Sequence, residues 1–328
     1  MGKSVFYFGI DVGASELWIS SARTRPRKFN HNKAGIKALC RWSIKQSDGA
    51  MAHLCMEATG VYSRHVAIQL YSLSDVEVSI VNPARIKAFA NVQMRRSKTD
   101  MIDAEVIRCF AESQHPAVWQ PTPTVMRQLY QLVVHAEALQ QSLMQWRNRK
   151  HAHQFTDDLP SAVAKSQRAI ERSLTRQLQN IEDAIGQLCA TDAELARQVD
   201  LLESIPGIAR KSATRILAFG GDWLTQRTQK QLIAHAGLAP HHHQSGTSVR
   251  GKSRIDKRGN RRLRKTLFMP ALTGIVNNPS LNRFYQNLLK KGKTKMTALV
   301  ASMKKLLIII QAILKKKIPF DPNFALDS

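Results

Sequence analysis

The chain has 328 residues, with 49 Lys and Arg against 24 Asp and Glu, for a formal net charge of +25. An apolar share of 43% excludes wholesale disorder, and the length suits two or three domains. Four dispersed cysteines (Cys40, Cys55, Cys109, Cys189) without a CxxC pair argue against a disulfide framework or zinc ribbon and for a reducing compartment.

The opening MGKSVFYFGIDVGASE meets acidic residues too early for a secretory signal, and Phe6 stands where myristoylation requires Ser or Thr. Residues 5–11 (VFYFGID) and 16–22 (ELWISSA) then read as strands turning at Gly13-Ala14, with a third extended piece over 27–31. A helix is predicted over 32–44, a strand over 51–57, a helix over 61–73 and a strand over 76–81. Asn82-Pro83 is a helix start, Asn as N-cap and Pro at the first helical position. Another amphipathic helix follows over 100–113. Strands first, then alternating helix and strand, predict a mixed α/β sheet domain.

Residues 115–123 hold three prolines and read as a connector. Beyond it Leu129, Leu132, Ala136, Leu139, Leu143 and Trp146 recur at spacings of three and four, as do Leu178, Ile181, Ile185 and Leu188. Each is a short heptad seam, and together they predict an antiparallel helical arm, packed either within one chain or against a second protomer. Ser204-Ile205-Pro206-Gly207-Ile208 before a helix over 211–219 fits either a phosphate-binding hairpin or an ordinary packing turn. Helices over 229–236, 261–275, 281–290 and 297–315 surround a Gly-, Ser- and Arg-rich loop at 241–260. The apolar run 306–314, interrupted by Gln311, is too short to span a bilayer. The C-terminal region is expected to be mostly helical, in a soluble, cytoplasmic protein with no membrane partner.

Charge is concentrated. From Ser204 onward there are 24 Lys and Arg against 4 Asp and Glu, whereas the first 203 residues carry a net charge of only +5. Such a local excess calls for a polyanion, and counterion release makes nucleic acid the natural one. The densest stretch holds Arg250, Lys252, Arg254, Lys257, Arg258, Arg261, Arg262, Arg264 and Lys265 with one acid, Asp256. It is the best candidate for gripping a nucleic-acid backbone.

Two constellations carry chemistry. Asp11 and Glu57 each end a strand, and Asp100 and Asp103 sit three apart on one helix face. If those elements are neighbours, four carboxylates converge and need protons or hard divalent cations, the arrangement used in phosphodiester chemistry. Against this, Asp100 also suits a helix N-cap and Glu57 a solvated strand end. The second constellation is the loop HHHQSGTSVRG, where Ser245 beside Gly246 can approach a phosphate. Two readings stand open there, a nucleophilic serine and a phosphate-contacting loop.

FGIDV around Asp11, MEATGVY around Glu57, VNPARIKAFA, SKTDMIDA around Asp100 and Asp103, LLESIPGIARKSA, LIAHAGLAP and QSGTSVRGKSR run through nearly the whole chain. In this order they resemble the DEDD-type transposases of bacterial insertion sequences, the group of Piv-like DNA invertases and bridge-RNA-guided recombinases. The resemblance implies a RuvC-like, ribonuclease H-type domain over 1–118, a helical coiled-coil arm over 119–198 and a transposase domain over 199–328. It implies Mg2+ on Asp11, Glu57, Asp100 and Asp103, a catalytic Ser245 forming a phosphoserine, and a homodimer or homotetramer. The partners implied are double-stranded donor and target DNA and a structured non-coding guide (bridge) RNA. A metal-dependent, Holliday-junction-type endonuclease using water in place of Ser245 is the competing expectation. An actin-like ATPase reading of FGIDVGAS would need a second glycine-rich loop; the one Gly-Gly, Gly220-Gly221, lies in the basic half.

Overall fold

The computed structural model describes residues 4–73, 75–93, 99–155, 158–241, 244–245, 249–250, 254–256 and 259–322. The chain separates into two compact units, Met1–Pro121 and Thr122–Ser328.

In the first unit β1 (Val5–Val12), β2 (Glu16–Ser20) and β3 (Arg27–Asn30) form an antiparallel meander. Helix α1 (Lys33–Ser47) leads to β4 (Met51–Glu57), and α2 (Val61–Tyr71) to β5 (Glu77–Val81). β4 and β5 add parallel to β1, giving the mixed five-stranded order β3-β2-β1-β4-β5. Two helices complete the unit, α3 (Pro83–Val92) and α4 (Asp100–Gln114). The Asn82 side chain accepts from the Ala84 amide at 2.8 Å, with Pro83 at the first helical position, as its sequence demands.

Strand alternation sorts the side chains into two cores. Phe8, Ile10, Leu54 and Met56 pack with Ile36, Leu39, Val66 and Leu70 beneath α1 and α2. On the other face Cys55 and Val81 pack with Ile86, Val106, Ile107 and Phe110 beneath α3 and α4.

The second unit begins with the long pair α5 (Thr124–Ala152) and α6 (Ser161–Thr191), joined through a 3-10 turn at His153–Phe155. Of the expected seam, Leu129, Ala136 and Leu143 are buried, while Leu132, Leu139, Trp146 and the four α6 positions are half-buried. A two-helix arm has no third element to close over its seam. Leu129 and Val133 instead join the core of the following helices, so the root of the arm is built into the C-terminal body.

That body comprises α7 (Ala193–Glu203), α8 (Arg210–Gly220), α9 (Trp223–Gln226) and α10 (Gln229–His235), then α11 (Arg261–Asn277), α12 (Pro279–Lys290) and α13 (Lys295–Lys316). The turn before α8 is a packing device. Gly207 has φ +104°, and a Cβ there would lie 2.7 Å from the Gly274 amide nitrogen and 2.9 Å from the Pro270 carbonyl. Ile205 and Ile208 beside it are buried, so the turn seats on α11.

The apolar run 306–314 lies in the C-terminal half of the 22-residue α13, which is long and apolar enough to cross a membrane by length and composition. Its apolar side is spent on the core: Leu306, Leu307 and Ile310 are wholly buried, and Gln311 donates to the Arg227 carbonyl at 3.0 Å.

Candidate active site

β1 and β4 run parallel with Ile10 opposite Met56, so the next residues, Asp11 and Glu57, come together at the carboxyl ends of neighbouring strands. Their alternation places both on the α3–α4 side of the sheet. Gly9 shares that face, and a Cβ on it would lie 2.1 Å from the Ala104 carbonyl oxygen and 2.3 Å from the Arg108 nitrogen of α4. The missing side chain lets the helix backbone lie directly on β1. The first turn of that helix carries Asp100 and Asp103. Thr99, whose side chain accepts from the Ile102 amide at 3.3 Å, is the N-cap, so Asp100 is not needed for that role.

Asp11 is half-buried. Burial pushes its carboxyl up from the ordinary 3.8 to about 6, with Asp100, Asp103 and Glu57 each adding repulsion and a hydrogen bond from the Val12 amide working the other way. Two elements, β4 and α4, therefore deliver negative charge around one side chain of β1. Among the described residues no group of three or more His, Cys, Asp or Glu side chains is arranged to hold a metal ion. The fold supplies a convergence of hard oxygen donors around Asp11, with Asp103 half-buried and Asp100 exposed.

A feature missed from the sequence lies two residues past Asp11. The Gly13 carbonyl is 2.7 Å from His31 Nδ1, and His31 Nε2 is 3.3 Å from His65 Nδ1. The two imidazoles stack at 5.5 Å, and Tyr62, 45% exposed, meets His31 edge-on at 6.0 Å. The signal was the aromatic and histidine content of GVYSRH after Glu57, which carries no spacing rule of its own.

The basic loop of the second unit is nested. β6 (Pro240–His241) pairs antiparallel with β9 (Arg254–Ile255), and inside them β7 (Gln244–Ser245) pairs with β8 (Val249–Arg250). Ser245 thus stands opposite Val249 at the end of a small hairpin, where a structureless loop was expected. Lys252, Lys257 and Arg258 lie outside the described residues, and for Ser245, Arg250 and Arg254 the backbone is described.

The root of this loop is tightly held. A Cβ on Gly259 would lie 2.3 Å from the Gly237 nitrogen, so the two backbones cross in contact. The Asn260 amide donates to the His235 carbonyl at 2.5 Å, and the Asn260 side chain both donates to the Phe219 carbonyl and caps α11. Arg264 is half-buried and donates to the Ala236 carbonyl at 3.2 Å, so it serves as a strut of the root. Arg262 reaches the Tyr130 hydroxyl at 3.4 Å and lies over the Phe219 ring. Arg261 and Lys265 are exposed.

Two family models match the chain. Residues 8–154 match the DEDD transposase domain of IS110 elements, and residues 199–286 match the transposase domain of the IS116/IS110/IS902 family. The pilin gene-inverting protein of Moraxella bovis is 33% identical over 325 residues, covering 96% of this chain and 97% of that protein. Its counterpart from Moraxella lacunata matches to the same extent. The transposase of insertion element IS1328 from Yersinia enterocolitica is 27% identical over 58% of this chain and 62% of its own length. The chain belongs to the IS116/IS110/IS902 family of transposases and is a DNA recombinase.

Proposed function

We propose that this recombinase cuts and rejoins double-stranded donor and target DNA as the transposase of an insertion sequence, acting in the bacterial cytoplasm. The observation that carries the reading is the crowding of Glu57, Asp100 and Asp103 around an Asp11 whose ionisation is disfavoured. A carboxylate set left mutually repulsive by the fold is relieved by a divalent cation. The donor chemistry suits Mg2+, with Asp11, Glu57, Asp100 and Asp103 as the holding residues. When bound, the metal would supply Lewis-acid stabilisation of charge on the scissile phosphate. The mixed sheet, an antiparallel meander continued by two parallel strands, supports a RuvC-like, ribonuclease H-type assignment of residues 1–118.

In this scheme Ser245 is the nucleophile. Its oxygen bonds to phosphorus, one P–O bond to deoxyribose breaks, and the leaving oxygen takes a proton. The serine ester keeps the bond energy, so attack by a new hydroxyl rejoins the strands without a high-energy cofactor. The strongly basic C-terminal region, with Arg250, Lys252, Arg254, Lys257, Arg258, Arg261 and Lys265, grips the backbone. Family resemblance further supports a homodimer or homotetramer directed by a structured bridge RNA.

The test is Ser245→Ala in a strand-exchange assay with covalent trapping. The proposal expects no adduct and no recombinant junctions, with DNA binding retained. Nicking without any adduct by the unaltered protein would instead indicate hydrolysis by a junction-type endonuclease. Sequencing nucleic acid that co-purifies with the protein tests the RNA: a discrete structured species supports guidance, and random fragments oppose it.

A further inference from the structure

The helical arm carries a charged groove that the chemistry above does not use. On α6, Lys165, Arg168, Arg172 and Arg176 recur at spacings of three, four and four, so they share one face, and all four are exposed. With Lys150 of α5 they line an open groove of about 910 Å³. The one carboxylate among its lining residues, Glu171, is already engaged: it accepts from Arg147 at 3.1 Å and from Lys150 at 3.0 Å. Those two bonds hold its pKa below the usual range.

Two of the three arginines are also tethered to the helix backbone. Arg168 Nε donates to the Ala164 carbonyl at 3.2 Å, and Arg172 Nε to the Arg168 carbonyl at 3.3 Å. The same tether is thus repeated one helical turn apart, about 6 Å along the axis. From Lys165 to Arg176 the stripe spans about 16 Å, roughly five base pairs at about 3.4 Å each.

We propose that this face of the arm is a second nucleic-acid site, which seats the phosphodiester backbone of a duplex without reading its sequence. Guanidinium forks match phosphate oxygens bidentately, and two of the three here are held in register. The remaining lining residues are Thr175, Gln179 and Asn180. With no aromatic or aliphatic side chain among its described lining residues, the groove lacks the buried anchor of a protein interface and the apolar face of a membrane helix. It equally lacks the stacking platforms by which single strands are held, which leaves a double-stranded backbone as the ligand. The DNA-recombinase assignment enters only in the choice of polyanion. Binding is read without strand exchange, so failure here and failure of the catalytic scheme are separable.

The test uses the full-length chain with Lys165, Arg168, Arg172 and Arg176 all changed to Gln, which preserves helix propensity. Affinity for a short random-sequence DNA duplex, and for an RNA duplex of equal length, is followed across a salt series. For at least one duplex, which identifies the ligand, the slope of log affinity against log salt becomes shallower by roughly three to four, with a loss of about tenfold or more. A control removes the same charge from the first unit, with the exposed Lys33, Lys37, Arg41 and Lys45 of α1 changed to Gln. An unchanged slope on both duplexes, or an equal loss in the control, would overturn the proposal. In unaltered protein, bound duplex should shield Lys165 from acetylation; unshielded Lys165 would equally count against it.

Discussion

Asp11 and Glu57 stand next to one another because the parallel ladder that pairs Ile10 with Met56 ends one step before them. Residues far apart in the chain are thereby delivered to one strand edge by backbone hydrogen bonding alone. Their adjacency is expensive in charge, and the first prediction follows from it.

A carboxylate whose pKa the fold raises stabilises the protein only while protonated. That contribution is complete below its ordinary value of 3.8 and lost as pH climbs through about 6. In the absence of divalent cations, Asp11→Asn should therefore melt higher than the unaltered chain at pH 8 and match it at pH 4. Partial exposure holds the gain to about 1–2 kcal/mol. The same variant should lose strand cleavage, on the order of a thousandfold or more. Adding Mg2+ at pH 8 should raise the melting temperature of the unaltered chain and leave Asp11→Asn unmoved. Identical responses of both proteins would remove Asp11 from the metal set.

Gly9→Ala places a methyl against the α4 backbone, which cannot step aside as a side chain tip would. The cost should be on the order of 3 kcal/mol. Cleavage should fall further than stability alone explains, because the helix that moves carries Asp100 and Asp103. Gly186→Ala is the contrast: it lies in α6 with nothing near the added methyl, and should stabilise by about 0.5–1 kcal/mol. Thermal melts and cleavage rates of the two variants separate the effects.

His235 stacks almost parallel on Trp223 at 4.1 Å, and burial holds its imidazole below the usual 6.5. A histidine kept neutral contributes stability that is present above 6.5 and lost as pH falls through the folded value. His235→Phe retains a flat ring without the proton. Its melting temperature should change less with pH between 6.5 and 4.5 than that of the unaltered chain. Parallel curves would show that His235 does not titrate in this range.

Asn278 is wholly buried between α11 and α12, where its Oδ1 accepts from the Ser280 and Leu281 amides at 3.1 and 3.2 Å. Its Nδ2 finds no acceptor among the described residues. Asn278→Ala should cost about 1–2 kcal/mol. Asn278→Ser keeps an acceptor and removes the orphaned donor, so it should retain most of the stability. Denaturant unfolding of the pair checks the order.

Local signals were legible in the sequence where the chemistry is local. Asn82-Pro83 and the alternation in 51–57 each name an element from a few residues. The Asp11–Glu57 adjacency was legible only as a condition, since the sequence does not say which strands pair. An isolated glycine in a strand signals close approach but not of what, so Gly9 could not be linked to α4. Thr99 was overlooked as a cap because Asp100 beside it is an equally good one. The single turn Trp223–Gln226 is too short to show periodicity. The seam of the arm read as two regular heptad rows, yet only part of it is buried, because two helices alone do not close over it and its root, at Leu129, packs on helices that no heptad rule anticipates.

The Gly237–Gly259 crossing makes the hairpin bearing Ser245 an interchangeable cartridge. The segment is anchored where it leaves α10 and rejoins α11. Lengthening it, shortening it or grafting one from a relative should alter what it presents to a strand while the anchored scaffold keeps its melting point. Diversification of such an enzyme has a ready-made place to begin.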